Sequence, residues 1–250
     1  MLIIKSVAQA IIAKRFTDEK TNRHDMVISF KNAGLTRDEI ADESLFQLLA
    51  GSDTTATIIR TGVLSIMTNP QIYAKLQAEI SATDIPLSTV ISTRQALQLP
   101  YLQATIKEAL RHHPAATGLL PRVVGPNGDT HNGVYFPPGT EVAFCAWNIH
   151  RTNTKVYGED AALFRPERWL EASPERLAVM EESFHLVFGY GRNRCMGENI
   201  ARLELNKLFF EMFRRFDWSI IDPVKPFEKN VNYGLFVQKG MWVKVTEREA

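Results

Sequence analysis

The chain has 250 residues, enough to bury a substantial apolar core as one large domain or two small ones. With 45% hydrophobic and 23% charged residues it reads as an ordinary globular protein, neither disordered nor collagen-like. Its 29 basic and 28 acidic residues cancel to a formal +1, so no global field draws it to nucleic acid or to an anionic membrane surface, and its two cysteines, Cys145 and Cys195, form neither a disulfide framework nor a Cys-x-x-Cys zinc site.

No stretch approaches the roughly 18 consecutive apolar residues of a membrane-spanning helix. The first twelve residues are apolar but interrupted by Lys5 and Gln9, with Leu2, Ile4, Ala8 and Ile11 or Ile12 at helical spacing; this predicts an amphipathic core helix rather than a signal peptide. The first 120 residues read as helix after helix. The longest candidate opens on the capping-box pattern Thr36-Arg37-Asp38-Glu39, carries Leu45, Leu48, Leu49, Ile58, Ile59, Val63 and Ile66, and is closed by Pro70. From Asp42 to Asn69 alone it spans roughly 42 Å. Inside it, Gly51, Ser52, Asp53, Thr54 and Thr55 are poor helix formers that compete for backbone bonds, so a locally opened helix is expected there. A second helix is expected over 70–80 and a third from Pro100 to just before Pro114, each with proline in its first turn.

In that third helix Glu108 and Arg111 are three apart and share a face, where a carboxylate can accept the forked donors of a guanidinium. His112 and His113 follow at the helix end, where cationic side chains complement the dipole; capping is favoured over metal binding. His24, His131, His150 and His185 lack metal-ligand spacing. After Pro121 the period changes, and Arg122-Val123-Val124, Val134-Tyr135-Phe136 and the run 141–147 are strand candidates separated by Asn132-Gly133 and Pro138-Gly139 turns, with Cys145 in an apolar core strand. A loop-rich segment is expected over 151–180, then a helix from about Gly197 to Phe216 and a terminal hairpin built from 218–221 and 241–245. The fold class is mainly α with a minor antiparallel β part, read as one domain over 1–250: a helical part to 120, then sheet, cysteine loop, helix and hairpin.

The most informative segment is Phe188-Gly189-Tyr190-Gly191-Arg192-Asn193-Arg194-Cys195-Met196-Gly197. Its glycines allow sharp bends or close approach to a flat partner, and a helix N-terminus with two arginines favours a thiolate at Cys195. By itself this is either a metal ligand or a buried structural cysteine.

The run resembles the haem-binding signature of the cytochrome P450 family, Phe-x-x-Gly-x-x-x-Cys-x-Gly, filled by Phe188, Gly191, Cys195 and Gly197. Three further segments match that family in order: Ala50-Gly51-Ser52-Asp53-Thr54-Thr55 is similar to its oxygen-activation motif, Glu108-Ala109-Leu110-Arg111 to its Glu-x-x-Arg motif, and 164–169 to its Pro-Glu-Arg segment. The resemblance implies the C-terminal portion of the cytochrome P450 fold, with Cys195 as axial ligand of haem iron, framed by Phe188, Gly191, Arg192, Arg194 and Gly197. It implies an acid and alcohol pair, Asp53 and Thr54, guiding water and protons toward O2, and a structural network in which Arg168 joins Glu108 and Arg111. It also implies substrate contacts from Ala50, Leu119, Leu120 and Phe236, an apolar small-molecule substrate that is hydroxylated or O-demethylated, and electrons from NADPH through a separate reductase. A haem sensor or carrier would need the cysteine loop but not Asp53 and Thr54.

The ligand loop departs from the family in carrying Asn193 two residues before the cysteine, where a haem-propionate arginine is common; Arg192 or Arg194 is expected to substitute. The segments 146–151, 156–160 and 164–170 are similar to fungal pisatin demethylase-like members. By resemblance the 250 residues correspond to the C-terminal half of a complete member. Membrane association, at the endoplasmic reticulum in full-length eukaryotic relatives, is then expected only through the missing half. The rival expectation is a truncated, non-catalytic fragment with weak or no haem binding.

Overall fold

The computed structural model describes residues 2–17 and 24–248, with backbone alone at 2–4 and 17. Its Cα packing falls into two compact units, Met1–Asp53 and Thr54–Ala250, and the division lies inside one long helix.

The first unit holds α1 (Leu2–Thr17), α2 (Met26–Asn32) and the first half of α3 (Arg37–Met67). Its core is Ile12, Ile40 and Ala41, with Phe16, Val27, Phe30 and Leu35 packed against them. In α1 it is Ile12 that is buried and Ile11 that is exposed; the side chains of Leu2 and Ile4 lie outside the described residues. Lys5 pairs with Asp42 at 2.9 Å across this small core. The capping box forms as its spacing predicts. Thr36 N–H donates to Glu39 Oε2 at 2.7 Å and Glu39 N–H returns to Thr36 Oγ1 at 3.4 Å; the Thr36 hydroxyl, also 2.7 Å from Oε2, and then the Thr36 N–H hold the Glu39 carboxyl below its ordinary range.

The expected opening at 51–55 is not found: α3 runs unbroken for 31 residues, about 46 Å. Breaking a long helix in its middle would orphan further N–H and C=O groups at two new ends. Within the segment, Ser52 Oγ instead joins the ladder, donating to the Leu48 carbonyl at 2.5 Å.

In the second unit, the C-terminal half of α3 meets α4 (Pro70–Ser81), the short α5 (Thr93–Ala96), α6 (Pro100–His112) and α11 (Glu198–Arg215). One apolar cluster joins them. Ile58, Val63 and Ile66 of α3, Ile72, Leu76 and Ile80 of α4, Leu102, Ile106 and Leu110 of α6, and Leu205, Phe209, Phe210 and Phe213 of α11 are all buried. Gly62 marks the closest crossing, since a Cβ there would stand 2.5 Å from the Phe209 ring and 3.1 Å from Ala109 Cβ.

The strands form separate two-stranded antiparallel ladders: β1 (Arg122–Val123) with β4 (Glu141–Val142), β2 (Asp129–His131) with β3 (Val134–Phe136), β5 (Phe216–Ile220) with β8 (Val243–Glu247), and β6 (Lys229–Asn232) with β7 (Phe236–Lys239). Asn132 and Gly133, both at positive φ (50° and 78°), make the tight β2–β3 turn. The terminal pairing is as expected in partners but carries a second hairpin, β6–β7, between its strands.

Two expectations are corrected. The run 141–147 is strand only to Val142, because α7 (Ala146–Thr152) begins within it. Its apolar residues have no period of two to hold them as strand, and α7 is fixed by tertiary contacts described below. The segment 151–180 is not loop but carries α8 (Thr154–Tyr157), α9 (Arg168–Glu171) and α10 (Pro174–Phe184), the last capped by Ser173 Oγ accepting the Arg176 N–H at 3.3 Å. No helix among the described residues is long and apolar enough to cross a membrane.

Candidate functional site

The cysteine loop follows a single 3-10 turn, His185–Phe188, and passes through a second, Gly191–Asn193, before entering α11. Gly189 and Gly191 sit at φ +76° and +67°, a region that side chains strain to enter, and a Cβ at Gly189 would press on the Asn193 carbonyl at 3.4 Å. The loop closes on itself through the Cys195 N–H, which donates to the Phe188 carbonyl at 2.7 Å. Cys195 is thereby held, exposed, three residues before Glu198, the first residue of α11. Within five residues of it in the sequence, Tyr190, Met196 and Ile200 are exposed, Met196 at 79%. An exposed thiol is unlike a structural core cysteine.

The basic residues of the loop divide. Arg194 is tied to Glu198, its Nε at 2.9 Å and Nη2 at 2.7 Å from Oε2, whereas Arg192 is exposed and has no hydrogen-bond or ion-pair partner among the described residues. Glu198 is buried, and its other oxygen accepts from Arg202 Nε at 3.0 Å. The Arg202 guanidinium lies 5.0 Å from the Phe188 ring centroid and 5.6 Å from that of Phe184. Sequence reasoning missed Glu198 and Arg202, although their i,i+4 spacing at a helix start was a readable signal.

Glu108, Arg111 and Arg168 are brought together. Glu108 Oε1 accepts from Arg111 Nη2 (2.7 Å), Arg168 Nε (3.0 Å) and the Arg165 N–H (2.8 Å); Oε2 accepts from Arg111 Nε (2.8 Å) and Trp169 Nε1 (3.0 Å). Arg111 also donates to the carbonyls of His150, Ala161 and Leu163, which ties α7 to α6. Arg168 donates to the Tyr157 carbonyl at 2.6 Å and to Asp160 Oδ1 at 2.9 Å. All three named residues are at most 2% exposed. Burial pushes the Glu108 carboxyl up, but the Arg111 and Arg168 charges and the donated hydrogen bonds outweigh it and hold it below its ordinary value. Asp160 and Trp169 are members that helical spacing could not reveal.

The histidines at the end of α6 are not the cationic caps expected. Burial first, then Arg151 and Arg111, depresses His112 to about 4, and burial, His112 and Arg151 depress His113 to about 3, so both are neutral at pH 7. The helix end is met by Arg151, whose Nη1 donates to the His112 carbonyl at 2.8 Å. His150 is buried, bonds Tyr157 Oη through Nδ1 at 2.9 Å, and is depressed to about 4 by burial and Arg111. Cys145 is half-buried rather than in a core strand, its thiol donating to the Thr117 carbonyl at 3.5 Å.

On α3, Ala50 and Asp53 are exposed and Thr54 is half-buried. Leu119 is exposed, and Leu120 is half-buried with its N–H toward the Phe144 carbonyl at 3.4 Å. Phe236 is half-buried. Its ring packs on His113 at 4.3 Å and Trp147 at 5.6 Å between centroids. Its neighbourhood is fixed by a bridge between Ala116 and Leu235 and by the backbone approach of Gly118 to Gly234, 3.3 Å from the position of a Cβ on Gly118. Among the described residues no group of three or more His, Cys, Asp or Glu is placed to hold a metal ion.

Comparison with known proteins gives a match of residues 3–242 to the family model described as Cytochrome P450. The chain is 41% identical over 241 residues to the cytochrome P450 monooxygenase ABA1 of Pyricularia oryzae, covering 95% of this chain and 47% of that protein. It is 37% identical over 248 residues to the monooxygenase aba1 of Botryotinia fuckeliana, covering 98% and 48%, and 42% identical over 173 residues to pisatin demethylase of Fusarium vanettenii, covering 68% and 32%. The chain thus spans about half the length, or less, of these curated relatives.

Proposed function

The chain belongs to the cytochrome P450 family, and from that premise we propose that its Cys195 loop is the haem-thiolate site of a monooxygenase inserting one oxygen atom of O2 into an apolar small molecule. Hydroxylation and O-demethylation are the two outcomes considered, the second suggested by the pisatin demethylase relative. The observation that carries the reading is the exposed Cys195 thiol, presented at the N-terminal end of α11 by a loop closed through its own amide. A single thiolate is one ligand, which suits a metal whose remaining ligands arrive with it, and the exposed apolar side chains of Tyr190, Met196 and Ile200, close to it in sequence, suit a flat apolar macrocycle. The residues present therefore fit haem.

Bound through a cysteine thiolate, haem supplies the activation of O2 that this chemistry needs. The chain's own groups have separate tasks. Cys195 supplies the axial sulfur ligand from just before the N-terminus of α11. Arg192, without a partner among the described residues, is the loop residue left to hold a haem propionate, since Arg194 is occupied by Glu198. Asp53, exposed on α3, and its neighbour Thr54 hold and pass protons. Ala50, Leu119 and Leu120 offer apolar surface to substrate. The electrons come from NADPH through a separate reductase.

The ferrous carbonyl spectrum of the haem-reconstituted chain tests the reading. A strongly red-shifted Soret band in the parent and its loss in Cys195→Ser are expected. A red-shifted band surviving the substitution, or bound haem in the parent without that band, overturns the Cys195 assignment, whereas weak or no haem binding by the parent favours the non-catalytic alternative.

A further inference from the structure

The Cys195 loop is secured at two points by one buried carboxylate. Glu198 is only 10% exposed in its side chain, yet it lies in the first turn of α11, where it could have faced solvent. One oxygen holds Arg194, the residue immediately before Cys195, and the other holds Arg202 one turn further along the helix. Arg202 in turn lies against the ring of Phe188, and the Phe188 carbonyl accepts the Cys195 N–H. The circuit Cys195, Phe188, Arg202, Glu198, Arg194 returns to its start, so both strands of the loop are tied to the same helix turn. A flat guanidinium over an aromatic ring fixes a plane as well as a distance, which an ammonium does not.

We propose that Glu198 and Arg202 act together as positioning residues for the Cys195 thiolate, setting where it stands before haem arrives. The inference rests on the haem-thiolate reading for its purpose but on the loop's own contacts for its geometry. Glu198 selects which arginine is free: by occupying Arg194 it leaves Arg192 to the cofactor. Loss of either clamp residue loosens the loop without touching the core face of α11, whose Leu205, Phe209 and Phe213 lie further along the helix.

Two measurements on the full chain decide it. Hydrogen exchange of the Cys195 amide in apo protein is expected to quicken several-fold in Glu198→Ala and in Arg202→Ala, while the amides of 205–213 keep their rates. Arg202→Lys, which keeps the charge and loses the planar stack, is expected to behave like Arg202→Ala, and Glu198→Gln to fall between parent and Glu198→Ala. In haem-reconstituted protein the same variants are expected to retain haem, measured as pyridine haemochrome, but to convert a several-fold larger share of their ferrous carbonyl complex to the unshifted form. A merely structural role would lower haem content and quicken exchange throughout α11 with the spectral ratio unchanged, and that outcome overturns the proposal. Unaltered Cys195 exchange overturns it whatever the spectrum shows. Should the parent itself give no red-shifted band, the haem-thiolate reading and with it the purpose of the clamp fall, while the exchange data still decide whether the clamp orders the loop.

Discussion

The Glu108 network and the Cys195 loop use the same chemistry, carboxylates forked between arginines, to opposite ends. Around Glu108 every carboxylate oxygen is taken by donors from the protein itself, and Arg111 and Arg168 discharge their remaining donors on backbone carbonyls and Asp160. In the loop, Glu198 satisfies Arg194 and Arg202, but Cys195, Arg192 and the apolar side chains of Tyr190, Met196 and Ile200 are left exposed. A set of buried charges that completes itself gives rigidity and holds segments together. A set that is complete only on its inner side presents groups to something else. That contrast supports our proposal of the first as scaffold and the second as site.

The largest break in this comparison is expected from Glu108→Ala. It strands two guanidiniums in a dry interior and removes the acceptor of Trp169, at a cost of about 3–5 kcal/mol, so thermal melting should show a chain that is unfolded or barely folded at 37 °C. A melting temperature within error of the parent would mean the network is solvated in solution.

A pH series sharpens the same point with a smaller effect. His112, His113 and His150 have ordinary values of 6.5, depressed in the fold to about 4, about 3 and about 4. Between pH 6.5 and 4 the unfolded chain takes up protons that the folded one refuses, so stability is fully present above pH 6.5 and falls as the pH drops below it. Each histidine contributes up to about 1.4 kcal/mol per pH unit in that window. Melting temperature should decline over this range, less steeply in His113→Phe, whose ring would keep the contacts with Trp147 and Phe236. A flat profile from pH 6.5 to 4.5 would show these rings protonated in the folded protein.

The smallest effect belongs to the loop. Arg194 is half exposed in its side chain, and Arg194→Ala is expected to change unfolding free energy by no more than about 1 kcal/mol, as measured by urea denaturation. A loss approaching that of Glu108→Ala would erase the distinction between scaffold and site.

Much of this was legible in the residues. The helices 70–81 and 100–112 were marked by Pro70 and Pro100, the cap of α3 by Thr36 and Glu39, and the ligand loop by glycines, arginines and one cysteine. Helical spacing put Glu108 and Arg111 on one face, but nothing local said that the face would be dry. That was decided by 157–169 folding over it, bringing Asp160, Arg168 and Trp169 to the same carboxylate. Local pattern failed where long-range contacts outweighed it. The polar residues 51–55 stayed helical because breaking α3 would have orphaned more backbone groups than it freed, and the run from Ala146 became helix where Arg111 could reach the His150 carbonyl. Likewise His112 and His113 sit where a dipole would favour cations, yet burial beside Arg151 keeps them neutral. The sequence by itself determined which residues match the family's motifs, since residue type and spacing are local properties. Only the tertiary structure decided which charges are buried, which arginine of the loop is occupied and which is free, because solvation depends on what the rest of the chain lays over each group.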